Sequence, residues 1–168
     1  MRKTENYWKL KHLARSVVWS SELVYMPICR YRKREAYSPD GFDAFVAGFP
    51  RSGNNFIAFA LREFAKEELK VNKPCHIPPL VQRSVRLAKP TILTIREPIA
   101  SAVSWSIFCG CPLEHSLKYY VQFHRMITSV SDSLLVLDFD RFTKNLPSTI
   151  SLIHQKLGLQ FRELASHE

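Results

Sequence analysis

A short loop at residues 48–56, with the sequence GFPRSGNNF, has the composition and position of an anion-binding turn. It follows an apolar run at residues 44–48, typical of a buried strand, and precedes a stretch with helical character. Such a turn presents consecutive backbone N–H groups, and the start of the helix adds the positive end of its dipole. We therefore expect a phosphate-like group to be bound by the Arg51 guanidinium and by four backbone amides, those of Ser52, Gly53, Asn54 and Asn55.

The spacing between Gly48 and Gly53 matches that of the nucleotide P-loop, but the Lys-Ser/Thr pair that should follow is replaced by Asn54-Asn55. In P-loop proteins the lysine neutralises the terminal phosphates and the hydroxyl residue holds magnesium. Since neither is present, we expect a site that requires no metal. The alternative is an ordinary strand-to-helix turn in which Arg51 is only solvated.

A second candidate anion contact follows another apolar run. Arg96 comes directly after residues 91–95, and Ser104 lies eight residues further on, in a predicted helix. The planar fork of an arginine side chain can bind a phosphate bidentately, and a serine hydroxyl can add one hydrogen bond. The alternatives are an Arg96 paired with Glu97 or Asp138, and a Ser104 that only keeps the helix close to the sheet, with Ser101 as the rival hydroxyl.

Three blocks of this sequence resemble, in family order, the sulfotransferases that use 3′-phosphoadenosine 5′-phosphosulfate (PAPS). Residues 48–56 resemble the 5′-phosphosulfate loop, residues 95–105 the 3′-phosphate motif, and residues 134–142 the strand and acidic turn that follow. The resemblance extends over roughly residues 43–160. It implies a PAPS-dependent sulfotransferase acting on a hydroxylated acceptor. The residues that it assigns to PAPS, or to the product adenosine 3′,5′-bisphosphate (PAP), are Arg51, Ser52, Gly53, Asn54, Asn55, Arg96 and Ser104.

Transfer of a sulfuryl group to a hydroxyl needs a base that accepts the hydroxyl proton, and histidine suits this role near neutral pH. Of the six histidines, His76 lies in a proline-containing stretch between the first helix and the second strand, and His76-Ile77-Pro78 resembles the family segment that carries the base. We predict that His76 is the general base and that Arg51 assists catalysis. His124 is the next candidate for the base. The alternative for His76 is an ordinary histidine in a surface loop, without a catalytic role. Cys75 is expected to be a packing residue.

The chain departs from the family at two points. Pro74 stands where the family often has a lysine, and Lys73 lies one step earlier. The chain also ends soon after its last predicted helix, without the C-terminal Gly- and Lys-containing loop of the cytosolic enzymes. We expect a compact, C-terminally short member, whose site is closed by the basic leader or by a partner chain. The alternatives are a P-loop phosphotransferase or kinase, and a non-catalytic PAPS- or anion-binding pseudo-enzyme.

The elements that must position these residues alternate along the chain. Apolar runs that predict strands alternate with helical stretches, which indicates a parallel sheet covered on both faces. We therefore expect an α/β, P-loop-like three-layer sandwich with a central parallel sheet and a site beyond the carboxyl ends of its strands. The predicted strands are residues 44–48, 91–95 and 134–137, and the predicted helices are residues 57–69, 98–108, 117–130 and 147–158.

Composition narrows the class of protein further. With 168 residues, 46% hydrophobic and 23% charged, the chain can form a buried core and is not a disordered tail. The net charge of +9 favours anionic partners, and residues 1–35 hold nine Lys/Arg against three Asp/Glu. We expect a basic N-terminal segment (1–37), which could meet an anionic membrane surface or an acidic partner or be merely solvated, followed by an α/β domain (38–168).

Other classes lack a supporting pattern. The four cysteines have no CxxC spacing, so we expect reduced thiols and no zinc site. No stretch predicts a transmembrane helix or a cleaved signal peptide, so we expect a cytoplasmic protein. No nucleic-acid readout motif accompanies the positive charge, and no motif names the acceptor.

Overall fold

Three parallel strands form the centre of the fold. The computed structural model describes residues 5–19, 21–31 and 38–162. The strands are β1 (Phe45–Gly48), β2 (Thr91–Ile95) and β3 (Leu135–Asp138), and their order in the sheet is β1-β2-β3. Because all three run the same way, their carboxyl ends meet at one edge of the sheet. The predicted α/β class with a central parallel sheet is confirmed.

Helices cover both faces of this sheet. The described residues form eight α-helices, and a 3₁₀ helix (Thr128–Ser133) leads into β3. The helices are α1 (Glu5–Val18), α2 (Glu22–Tyr31), α3 (Asn54–Phe64), α4 (Pro78–Arg86), α5 (Pro98–Cys109), α6 (Leu113–Ile127), α7 (Phe139–Lys144) and α8 (Leu146–Leu157).

Alternation along the strands divides the core into two layers. Phe45 and Leu93 point into one layer with side chains of α2, α4 and α6, whereas Val46 and Ile92 point into the other with side chains of α3, α7 and α8. Successive strand residues face opposite sides of a sheet, and burial of each large apolar side chain contributes roughly 1.5–3 kcal/mol. The continuous apolar strands thus hold both helical layers against the sheet.

Several helices depart from the predicted bounds. The helix predicted for residues 117–130 is α6 at Leu113–Ile127, and residues after β3, expected to form an acidic turn, form α7. Two further differences lie before β2. The helix predicted for residues 57–69 ends at Phe64, because residues 64–66 pair with residues 160–162 at the edge of the fold. Residues 78–86, expected to be part of a proline-rich connection, form α4. Its two prolines occupy the first helical turn, where a missing N–H costs nothing.

The N-terminal helices share the first core layer. Trp19, Tyr25 and Cys29 are buried beside Phe45 and Phe123. The division into a segment 1–37 and a domain 38–168 stays a prediction. Of the basic cluster, residues 32–34 lie outside the described residues. None of the helices in the described ranges is long and apolar enough to cross a membrane.

Candidate functional site

The loop of residues 48–56, hereafter the anion loop, leaves the carboxyl end of β1 and enters α3. Glycine is required at two positions of this loop, for a different structural reason at each. A Cβ on Gly48 would lie 2.5 Å from both the carbonyl oxygen and Oγ1 of Thr94, so only glycine lets the loop pass close to β2. Gly53 has φ 82° and is the N-cap of α3, where a Cβ would lie 2.5 Å from Phe142. Both glycines shape the loop.

Arg51, Arg96 and Ser104 converge beside this loop, although they lie far apart in the sequence. The Arg51 Nε donates to Ser104 Oγ at 3.1 Å, and an Arg96 Nη donates to the Arg51 carbonyl oxygen at 3.2 Å. Arg51 has φ 71°, in the left-handed region that non-glycine residues rarely adopt. Strain of this kind is typical of functional loops, and here it accompanies two guanidinium groups at one sheet edge.

Arg96 has no carboxylate partner among the described residues, although two carboxylates flank it. The Glu97 side chain accepts from the amides of Ile99 and Ala100 at the start of α5, and the Asp138 side chain caps α7 by accepting from the backbone amide of Arg141. The Arg96 guanidinium instead lies 4.3 Å from the centre of the Phe139 ring. The alternative of a structural ion pair with Glu97 or Asp138 is therefore absent from this structure.

Ser52, Asn54 and Asn55 of the anion loop differ in their burial and hydrogen bonding. Asn54 is buried; its Nδ2 donates to the Phe49 carbonyl at 3.0 Å, and its Oδ1 accepts from Thr94 Oγ1. The Ser52 amide donates to the same carbonyl at 3.3 Å, but the Ser52 hydroxyl is buried without a hydrogen-bond partner in the described structure. Asn55 is exposed. The Asn54 side chain thus fastens the loop to β2 rather than reaching a ligand.

His76 lies against the first residue of the anion loop. Its Nδ1 is 2.7 Å from the Gly48 carbonyl oxygen. Because a carbonyl can only accept, Nδ1 carries the hydrogen and Nε2 keeps a free lone pair in the neutral imidazole. Burial lowers the pKa of His76 below its ordinary value of 6.5, and the hydrogen bond to Gly48 opposes this in part. A neutral histidine with a free Nε2 is the state that a general base requires.

A set of contacts that the sequence did not reveal holds His76 in place. Residues 71–75 run parallel to β1, where Cys75 exchanges backbone hydrogen bonds with Val46 and Gly48. The buried Asn72 side chain binds both backbone polar groups of Val46, at 2.7 and 3.1 Å. Arg62 of α3 donates to the carbonyls of residues 71 and 72. Asn72, a side-chain amide next to the apolar Val71, was the one signal that could have indicated this anchor.

Other candidates have different surroundings. Burial lowers the pKa of His124 to about 4, and its ring packs 4.3 Å from that of Tyr120. Burial raises the pKa of the Cys75 thiol to about 12, as expected of a packing residue. Ser101 is buried on α5 with an unpartnered hydroxyl, whereas Ser104 contacts Arg51. Within the described ranges no group of three or more His, Cys, Asp or Glu side chains could hold a metal ion.

Comparisons with known proteins bear on the fold. No protein-family model matches the chain, and neither does any curated protein sequence. A solved structure of mouse sulfotransferase SULT7A1 complexed with PAP is similar to 77% of this chain, with a TM-score of 0.56 and 13% sequence identity. The chain spans 62% of the length of that protein. At this identity the similarity concerns the fold alone, and the chain has a sulfotransferase-like α/β fold.

Proposed function

We propose that this protein transfers a sulfuryl group from PAPS to a hydroxyl acceptor. The observation that carries the proposal is the convergence of Arg51, Arg96, Ser104 and the start of α3 at the sheet edge where His76 contacts Gly48. PAPS would supply an electrophilic sulfur: the acceptor oxygen bonds to it as the bond from sulfur to the phosphate oxygen breaks, which yields a sulfate ester and PAP.

The residues at the anion loop fit an anionic donor in three respects. The Ser52 hydroxyl is buried and unpartnered, so an oxyanion would satisfy it. No side chain caps the first turn of α3, so its amides are available to a phosphate or sulfate oxygen. Arg51 and Arg96 supply two positive charges. In this proposal Arg51 and the loop amides stabilise the negative charge that develops on the leaving and equatorial oxygens.

His76 is assigned the proton transfer. Its Nδ1–H is held by the Gly48 carbonyl, so the Nε2 lone pair accepts the proton of the attacking hydroxyl. The lowered pKa keeps the ring neutral at pH 7. Positioning and electrostatic stabilisation carry the rest of the catalysis, as in phosphoryl transfer, and no covalent sulfo-enzyme is required.

Calorimetry with PAP and with ATP-Mg tests the choice of donor. We expect PAP to bind in the presence of a chelator and to bind more tightly than ATP-Mg, because the anion loop lacks the lysine and hydroxyl residue of a nucleotide P-loop. Preference for ATP-Mg would favour a kinase and contradict the proposal. Binding of PAP without sulfation in a screen of pooled hydroxylated acceptors would favour a pseudo-enzyme.

Substitution of His76 tests the base. We expect His76→Ala to lower turnover by roughly 10²–10⁴-fold with PAP affinity nearly unchanged. In the wild type, turnover should decline on the acid side with an apparent pKa below 6.5, because the imidazolium cannot accept a proton. His76→Asn, which retains an N–H for the Gly48 carbonyl, should be as inactive as His76→Ala.

His154 offers a matched control for this substitution. It is exposed on α8, and its Nδ1 is also bound to a backbone carbonyl, that of Leu159, at 2.9 Å. His154→Ala should therefore retain turnover. Normal sulfation by His76→Ala would contradict the role of His76 and make His124 the next candidate base.

A further inference from the structure

A cavity of about 650 Å³ lies beside His76, between the two N-terminal helices, α6 and the segment before α4. Its wall includes His76 and Ile77 from the segment before α4, Tyr119 from α6, and Arg15 and Trp19 from the first helical region. A volume of this size holds a ligand of two or three rings rather than a single small group. Residues of α1 thus form one wall of the cavity beside His76, the candidate base.

The charges around this cavity are all of one sign. Lys11 and Arg15 both lie on its wall, and none of the described residues that line it is acidic. Arg15 is half-buried and has no carboxylate partner within the described structure. Burial lowers the pKa of Arg15, yet a guanidinium stays protonated at neutral pH. A half-buried cation without a counter-ion is stabilised when an anion binds to it.

Aromatic stacking holds Arg15 in place. Its guanidinium lies 3.8 Å from the centre of the Tyr119 ring and 5.3 Å from that of Trp19. The Tyr119 hydroxyl donates to the His76 carbonyl at 3.4 Å. The same buried ring therefore contacts Arg15 through its face and the backbone of His76 through its hydroxyl. Stacking leaves the N–H fork of an arginine free for a planar anion and reduces the entropy lost on binding.

We propose that this cavity receives the acceptor, and that the acceptor is a ring-containing hydroxy acid whose carboxylate binds Arg15 while its hydroxyl faces His76. This inference rests on the proposed function, because it assigns the acceptor class of the same site. The aromatic and aliphatic wall contacts the rings, and Arg15 and His76 distinguish the two polar ends of the molecule. Neutral phenols would lack the carboxylate contact.

A binding experiment without donor tests this acceptor class. The probes are a hydroxynaphthoate, with hydroxyl and carboxylate at opposite ends of its fused rings, and its neutral methyl ester, titrated by calorimetry and by tryptophan fluorescence. We expect the wild type to bind the acid roughly tenfold or more tightly than the ester, because a charge-assisted pair is lost in the ester. Equal binding of the two probes, or no binding of the acid, would overturn the inference.

Variants on α1 assign the preference to Arg15. Arg15→Gln should remove most of the preference for the acid, since only Lys11 then remains as a cation on the wall, while ester binding changes by less than about twofold; Arg15→Lys should retain more of the preference. Lys9→Gln is the matched control, since Lys9 is an exposed cation of the same helix that pairs with Glu5; it should leave the preference unchanged. An equal loss of acid and ester binding in Arg15→Gln would indicate a structural role and overturn the inference.

PAP binding, measured on the same preparations, separates this inference from the proposed function. Tight PAP binding without any preference for the acid would overturn the acceptor class and leave sulfuryl transfer standing. Preference for the acid that depends on Arg15, in a protein that does not bind PAP, would support the cavity as an organic-acid site and contradict sulfuryl transfer.

Discussion

At the scale of single residues, substitution of Arg96 gives a specific prediction for nucleotide binding. The neighbouring carboxylates cap helices, so the Arg96 guanidinium forms no ion pair with them and can bind an anion. Arg96→Ala should weaken PAP binding by about 2 kcal/mol, roughly 30-fold, and should weaken binding of the analogue without the 3′-phosphate much less. Calorimetry with the two nucleotides measures the difference.

Two further variants make the Arg96 result specific. Arg96→Lys keeps the charge but loses the planar fork, so it should fall between the wild type and Arg96→Ala. Arg125→Ala removes an exposed arginine of α6 and should leave both affinities unchanged. If Arg96→Ala weakened the two nucleotides equally, Arg96 would not be the 3′-phosphate contact.

At the scale of elements, the turn between β1 and α3 depends on its closeness to α7. A Cβ at Gly53 would lie 2.5 Å from Phe142 and 2.9 Å from Phe139, at a φ of 82° that already disfavours a side chain. Gly53→Ala should therefore destabilise the fold by roughly 1–3 kcal/mol and weaken PAP binding, because the turn or α7 must shift. Urea denaturation and calorimetry measure the two effects.

Gly41 provides the matched control for this turn. It has a similar φ of 76°, but a Cβ there would meet nothing within 4 Å. Gly41→Ala should carry only the conformational cost, about 1 kcal/mol, and leave PAP affinity unchanged. Equal destabilisation by the two substitutions would show that the contact with α7 adds nothing.

At the scale of the whole molecule, Arg83 of α4 joins α2 to the turn that precedes β1. Its guanidinium binds both oxygens of Asp40, at 2.5 and 2.9 Å, and Glu22 of α2 at 2.5 Å. The hydrogen bond from Arg83 lowers the pKa of Asp40 from 3.8 to about 2. This contribution to stability is complete above about pH 4 and is lost as the pH falls toward 2.

Denaturation at several pH values tests that connection. Because the Asp40 side chain is 47% exposed, Asp40→Asn should cost only about 1 kcal/mol or less at pH 7, and clearly less near pH 2. Glu114→Gln, in an exposed pair with Lys118 on α6, should show no comparable change. The same loss at pH 7 and pH 2 in Asp40→Asn would contradict an ion-pair origin.

The local pattern of the sequence determined the frame of the sheet and the anion loop. The residues of β2 and the start of α5 at Pro98 agree with the prediction, because an apolar run and a proline at the first turn are local signals. The turn with Gly48 and Gly53 is equally local. The sequence therefore predicted that Arg51 and Arg96 would lie at the carboxyl edge of one sheet.

Only the tertiary structure decided what surrounds those residues. Asn72 fixes the segment before His76 to Val46, which lies twenty-six positions away, and Arg15 contacts Tyr119, which lies more than one hundred positions away. Neither contact can be recognised from a periodic sequence pattern. The first depends on the register of residues 71–75 along β1, and the second depends on the docking of α1 against α6. For the same reason the helix predicted to residue 69 ends at Phe64, where pairing with residues 160–162 replaces helical hydrogen bonds. Spacing along the chain thus determined the edge on which the site lies, while long-range packing determined which side chains share it.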